Sequence, residues 1–318
     1  MIKLSVILLL FSVLLSSSGG EEAPLTQEIL RKAELFADPA FCERALNTPA
    51  RYSAQLRGGW EALAWRLKNP RHPRYAATVR LFARIHDEVR TGMEWKEPPP
   101  KATVPQFAAP PEIDGIIKPE EWKNALVYQG EYPLNHTERL KEYSQTVWRI
   151  GWHGGALYAA AEFKDRNIVT YHGRFNTPEL QPLYMGDAFE LFIRPEKKKP
   201  LYYEYLVNPA GSLWALVHVN DPRGSWIRIC DDFPTMARTS VRRTETGYSI
   251  ELSVPLGEQY GPWWNKTPRA GDRFSFMMVR THRDGEVYFR TTPVPLLYEG
   301  HNIFGYVAAE LGSSPAGR

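Results

Sequence analysis

The carboxylates Asp187, Glu190 and Glu204 and the eight histidines are the side chains of this sequence with the most obvious capacity for chemistry. Glycoside hydrolysis needs two carboxyl groups about 5–9.5 Å apart across a cleft. Asp187 and Glu190 lie in one apolar run, Gly186-Asp-Ala-Phe-Glu-Leu-Phe-Ile-Arg-Pro195, and strand alternation sends them to opposite faces. Glu190 with Glu204 on a neighbouring strand is a conceivable pair, yet no further residue marks a cleft. Gly-x-Ser-x-Gly elbows, His-Glu-x-x-His pairs and phosphate loops are missing from the sequence. The histidines are scattered, with His153 in a turn, His172 in a loop and His301 before the closing strand, whereas a zinc site gathers them with acids. Asp165, Asp187 and the pair Asp231–Asp232 are loop carboxylates outside any twelve-residue calcium-loop pattern. These residues describe a binding protein without catalytic machinery. Were it an enzyme, hydrolysis of O-glycosyl bonds is the chemistry they would serve.

The elements that must position these groups change character along the chain. Lys3, the apolar run Leu4–Leu15 and Ser16-Ser-Ser-Gly-Gly20 have the form of a cleavable export signal. Its apolar stretch is shorter than a membrane span, so the mature chain is expected to be secreted, periplasmic or at the cell surface. From 25 to 95 the apolar positions recur at helical spacing, as in Ile29, Leu30, Ala33 and Phe36 after a capping Thr26, and in Tyr75, Val79, Phe82, Ile85 and Val89. This helical region could dock a protein partner. Prolines at 98–100, 105 and 110–111 make 96–111 an extended linker. Beyond it, from 112 to 312, the pattern has period two. Thr146–Trp152 alternates, the turn His153-Gly-Gly-Ala156 follows, and Leu157–Phe163 alternates again, as a hairpin does. Short strands continue through 311, without amphipathic helices between them. The fold class is therefore mainly β, an antiparallel sandwich of jelly-roll or immunoglobulin-like type preceded by a small α-helical region, with a tail at 313–318.

Charge argues against some partners. The 39 basic and 36 acidic residues leave +3, with Lys197-Lys-Lys199 as the tight basic cluster, so nucleic-acid binding is not expected. The two cysteines, Cys42 and Cys230, fall in different regions, and their pairing is open. The 10 Trp and 16 Tyr carry large apolar areas suited to a sandwich core and to stacking.

Taken in order, several motifs resemble family 9 carbohydrate-binding modules over roughly 109–312. They are Ile113-Asp-Gly115 with Glu121-Trp122, the hairpin ending in Lys164-Asp165, the Asp187-to-Pro195 strand, Tyr202-Tyr-Glu-Tyr-Leu-Val-Asn-Pro-Ala-Gly211, Gly247-Tyr-Ser-Ile-Glu-Leu-Ser-Val-Pro255 and Phe304-Gly-Tyr-Val. The resemblance implies a saccharide ligand clamped between two aromatic rings and aided by a Glu, an Arg and an Asn. By position the Glu is Glu190, and the rings are Tyr184 and Tyr298, where the family has tryptophans. The Arg position holds Leu206 and the Asn position Pro295, which implies a different sugar preference; Glu204, Arg290 and His301 are the further candidates. The resemblance also implies a possible structural calcium, for which Asp165 and Asp187 are the available ligands, and no other cofactor. Related DOMON-like sandwiches bind haem, and Met185, His301 and Met277 or Met278 are conceivable axial ligands. Three alternatives thus stand beside an accessory of polysaccharide or glycan breakdown: a surface interaction module with a decayed sugar site, a haem domain and a glycoside hydrolase.

Overall fold

A computed structural model describes residues 24–47, 64–141, 145–172, 183–220, 226–284 and 287–313. The export signal expected at 1–20 lies outside them. The described residues fall into two compact units, one within Met1–Cys42 and Glu61–Asp87, the other within Glu43–Trp60 and Glu88–Arg318. In the first, helix α1 (Gln27–Glu34) begins where the Thr26 hydroxyl accepts from the Ile29 amide. Its apolar face buries Ala33 and, just beyond the helix, Phe36, whose ring meets Phe82 edge-on at 4.9 Å. Helices α2 (Pro39–Asn47) and α3 (Tyr75–Glu94) follow. No helix among the described residues is long and apolar enough to cross a membrane.

The second unit is the sandwich. Its strands are β1 (Lys101–Val104), β2 (Leu126–Gln129), β3 (Tyr132–Pro133), β4 (Val147–His153), β5 (Ala156–Lys164), β6 (Ala188–Arg194), β7 (Leu201–Val207), β8 (Leu213–Asn220), β9 (Trp226–Cys230), β10 (Arg238–Thr244), β11 (Gly247–Pro255), β12 (Arg273–Asp284), β13 (Val287–Thr292) and β14 (Val307–Leu311). Among the described residues one sheet has nine strands, ordered β1-β14-β12-β6-β7-β8-β9 with β13 beside β12 and β3 beside β13, and the other has five, ordered β10-β11-β5-β4-β2. The hairpin β4–β5 turns on Gly154 and Gly155 at φ +54° and +90°, a left-handed pair that side chains with a Cβ resist. Facing residues of the two sheets, among them Trp148, Ile150, Leu157, Phe163, Phe189, Leu191, Tyr205 and Ile250, fill the core.

The proline-rich stretch is not a free connector. Lys101–Val104 pairs in parallel with β14, and Val104 is fully buried. Phe107 then packs edge-on to Trp122 at 5.5 Å over the outer face of the smaller sheet. Prolines at 98–100 and 105 bracket a strand short enough to sit at a sheet edge, where a missing amide donor is tolerated.

The opening motif serves packing. Glu251 of β11 is fully buried; its Oε2 accepts from the amides of Gly115 (2.8 Å) and Asp114 (3.1 Å), and its Oε1 from the Trp122 indole (2.9 Å). Burial pushes its carboxyl up, and these donors pull it back. One carboxylate therefore pins Ile113-Asp-Gly115 and helix α4 (Pro119–Trp122) to the sheet.

Candidate functional site

The larger sheet carries a polar assembly on each of its faces. On the inner face, Arg280 and His282 of β12 alternate with Val279 and Thr281 and point between the sheets. The fully buried Arg280 guanidinium donates to Glu131 Oε1 (3.1 Å), Asp165 Oδ2 (3.0 Å) and the Lys164 carbonyl (2.7 Å), and lies over the Phe163 ring. His282 Nδ1 stands 2.8 Å from Asp165 Oδ2 and 3.0 Å from Asp187 Oδ1. Asp187 also accepts from the amides of Val169 (2.6 Å) and Arg283 (3.2 Å). Burial pushes the His282 imidazole down, but hydrogen bonds to Asp165 and Asp187 outweigh it and hold its pKa at about 9. Burial likewise raises Asp165, while His282, the Asn167 amide and Arg280 bring it down to about 2. Asp187 is raised, chiefly by burial. The two carboxylates offered to calcium by resemblance thus face a guanidinium and an imidazolium. Calcium takes six to eight oxygens, and this donor set does not fit it.

A pH dependence of stability follows from this assembly and from Glu190 on the other face, where burial pushes the carboxyl up to about 7 against the opposing pull of Arg290 and with the support of Glu204. A carboxyl raised above its unfolded value stabilises fully below about 4.5 and loses that contribution as pH climbs to about 7. His282 keeps its contribution below about 6.5 and loses it between there and about 9. Both slopes have the same sign, so urea midpoints should fall steadily from pH 4.5 to pH 9. His282→Gln should flatten the upper half and Glu190→Gln the lower half. A midpoint that rises over this range would refute the assignment.

On the outer face Glu190, the Glu of the family resemblance, is fully buried, because the segment leading from β13 to β14 lies across the strands. Gly300 sits where a Cβ would come within 3.0 Å of the Phe192 ring, His301 meets that ring edge-on at 5.2 Å, and the Tyr306 hydroxyl donates to the Gly300 carbonyl. Alternation along β6 reads the face correctly, but it carries no information about what covers it. Under this cover Glu190 Oε1 accepts from Thr281 (2.7 Å) and from Arg290 (3.4 Å). The Arg290 side chain keeps 16% of its surface exposed. Tyr288, 39% exposed, brings its ring to 5.9 Å from the Arg290 guanidinium, and its hydroxyl donates to the Tyr184 carbonyl at 3.0 Å.

The structure therefore gathers Glu190, Arg290 and Tyr184 through Tyr288, a residue that sequence reasoning missed. It gathers Glu204 and His301 through two more missed residues. His218 Nε2 lies 2.7 Å from Glu204 Oε2, and the Tyr202 hydroxyl 2.9 Å from His301 Nδ1. Tyr298 is held separately, at φ +71°, with its amide on Asn135 Oδ1 and its hydroxyl on the Glu88 carbonyl (3.0 Å). Beside it a groove is lined by Trp95, Pro100, Pro295, Leu297 and the largely exposed Phe304. Leu206, at the family's Arg position, packs with Trp214, Leu216 and Leu183. Met277 and Met278 are fully buried and alternate to opposite faces of β12, so at most one of them shares the face of His301.

With this geometry in view, comparisons with known proteins bear on the family. A search of curated proteins finds no match. Among solved structures, a protein from Bacteroides uniformis proposed to bind carbohydrate is 11% identical and covers 67% of this chain and 99% of its own, with a TM-score of 0.50, a likeness of fold. A carbohydrate binding module of family 9 from Caldicellulosiruptor kristjanssonii, solved with cellotriose, is 16% identical over 67% of this chain and 95% of its own, with a TM-score of 0.45. The same organism's module solved with glucose gives 16%, 68%, 98% and 0.44. The family described as carbohydrate family 9 binding domain-like matches residues 113–291, from the Ile113 motif pinned by Glu251 to the end of β13 beside Arg290. The match spans more than half of the sequence, and the chain belongs to that family.

Proposed function

We propose that this protein is an exported, non-catalytic carbohydrate-binding protein, an accessory to polysaccharide or glycan breakdown, that takes its saccharide at the margin where Arg290 emerges beside Tyr288 and Tyr184. Family membership and the export-signal pattern at 1–20 support the class and the compartment. The observation that carries the site is the Glu190–Arg290 pair: a buried carboxylate holds an Arg side chain that keeps 16% of its surface exposed, next to an exposed phenol ring. A pyranose offers apolar C–H faces to such a ring and hydroxyls to such a donor. Arg290 in this reading supplies the cationic hydrogen bonding that Leu206 cannot. Glu190 then acts on the sugar through Arg290, holding it in place.

Calorimetric titration with soluble oligosaccharides tests this. A hydrogen bond to a charged donor is worth about 1.5–3 kcal/mol, so Arg290→Ala should weaken binding about 10- to 100-fold. Tyr288→Ala and Tyr184→Ala should weaken it by a smaller factor. Equal affinity in these variants and the parent would reject the site, and loss confined to Tyr298→Ala or Phe304→Ala would move the ligand to the groove beside Pro295.

A further inference from the structure

Among the described residues two groups of metal-ligating side chains are buried in the sandwich, and they differ in how their charge is balanced. In the first, Asp165, Asp187 and His282, the Arg280 guanidinium stands 3.0 Å from Asp165 and fills the place of a cation. The second is Glu204, His218 and His301, whose candidate ligand atoms lie within 4.8 Å of one another. Among the described residues the ion-pair partner of Glu204 is His218 at 2.7 Å, with no Lys or Arg paired to it. On that face Arg290 is bound to Glu190, and Arg228, the register partner of His218 on β9, is bound to Asp231.

We propose that Glu204, His218 and His301 bind one first-row divalent ion of the zinc class through two imidazoles and a carboxylate, with a remaining position for water or another small ligand. The donor set selects the ion: imidazole with carboxylate suits zinc, cobalt, nickel and copper, whereas calcium and magnesium favour oxygen alone. The spacing suits it as well. Zinc bonds of about 2.0–2.2 Å at a tetrahedral angle separate two ligand atoms by about 3.3 Å. His218 Nε2 and Glu204 Oε2 reach that separation if the carboxylate swings by less than about 1 Å.

The surroundings are those of an oriented ligand set. Glu204 and His218 stand on the adjacent strands β7 and β8, where His218 is paired with Tyr202 and Glu204 is two residues further along β7. His218 stacks on the Tyr202 ring at 5.0 Å and His301 packs edge-on against Phe192, so both rings are fixed before an ion arrives. The Tyr202 hydroxyl engages His301 Nδ1, which turns Nε2 toward the ion, as an outer hydrogen bond commonly does for a metal-bound imidazole. Burying a carboxylate is unfavourable unless its charge is met, and a dication shared by neutral imidazoles meets it. An ion here would also fasten the covering segment, through His301, to the sheet. None of this depends on the saccharide reading.

The experiment strips the full chain with a chelator and titrates it with zinc chloride, and in parallel with calcium chloride, by calorimetry. Cobalt(II) absorption supplies a second readout. One equivalent of zinc per chain is expected, with no heat from calcium and with cobalt bands of an imidazole-ligated, low-coordinate ion. Glu204→Gln, His218→Ala and His301→Ala should each weaken zinc at least about 100-fold, and Tyr202→Phe about 10- to 100-fold with stoichiometry kept. His282→Ala should leave the zinc isotherm unchanged. Three outcomes overturn the proposal: no zinc uptake by the folded parent, uptake unaltered in the near-isosteric Glu204→Gln, or loss only in His282→Ala. Should His218→Ala fail to fold, the cobalt spectrum of the parent and the Glu204→Gln titration still decide. Loss of zinc with sugar binding unchanged, or the reverse, keeps this site and the saccharide site separately testable.

Discussion

Replacing Arg280 by leucine is expected to destabilise the protein by about 3–5 kcal/mol, the range for removing one partner of a buried ion pair. The side chain is fully buried and answers two carboxylates, Glu131 and Asp165, as well as the Lys164 carbonyl. Leucine would fill much of the volume and leave those acceptors in a medium that cannot solvate them. His282 would remain as a cation for Asp165, but among the described residues Glu131 would keep only the Thr291 hydroxyl at 2.9 Å. Arg280→Lys should recover part of the loss, since an ammonium restores the charge without the fork that reaches both acids. The companion Glu131→Gln in the leucine background should return stability, because it removes one orphaned charge. Urea unfolding at neutral pH measures all three. A leucine variant within about 1 kcal/mol of the parent would show that water or rearrangement meets the acids.

Glu251→Ala is expected to be comparably severe, at about 2–4 kcal/mol, with a different mechanism. The carboxylate is an acceptor for two amides and one indole, and each buried donor left unmet is worth about 1–3 kcal/mol, not fully additively. The damage should be local as well as global. Amide exchange at Asp114 and Gly115 should accelerate well before the rest of the sheet opens. Trp122→Phe removes one donor and should leave most of this stability in place. If Glu251→Gln matches the parent, the negative charge itself contributes nothing and the acceptor geometry carries the effect.

Much of this fold is legible in the sequence because alternation and turn glycines are local signals. Thr146–Phe163 reads as a hairpin from its own residues, and β6 and β7 show which side chains share a face. The coverage of those faces is a different matter. Glu190 sits among aromatics and reads as a solvent-facing group, yet the chain that buries it comes from beyond residue 292, joined to it by packing of Gly300, His301 and Tyr306. The histidine clusters are hidden for the same reason. His218 and His282 are unremarked in linear order, and only the pairing of β8 with β7 and of β12 with β6 brings them to acids. One signal was available: in Met277-Met-Val-Arg-Thr-His282 the charged residues fall at positions whose parity is that of the core, which marks a buried polar network. The edge strand β1 escaped notice because prolines on either side of Lys101–Val104 suggest a connector, and nothing local tells a connector from a strand that docks on the far end of the sequence.

That docking has a consequence for how the sandwich can be isolated. The family match opens at 113, downstream of β1, so a fragment that starts there and keeps the C-terminal strand would shed the strand that shields one flank of β14. Its backbone donors and acceptors would be bared along Val307–Leu311, beside the newly uncovered Trp152 and the outer aromatic cluster that Phe107 completes. An unprotected flank of that kind recruits other chains and promotes aggregation. Expression limits placed before Pro98 keep the flank closed.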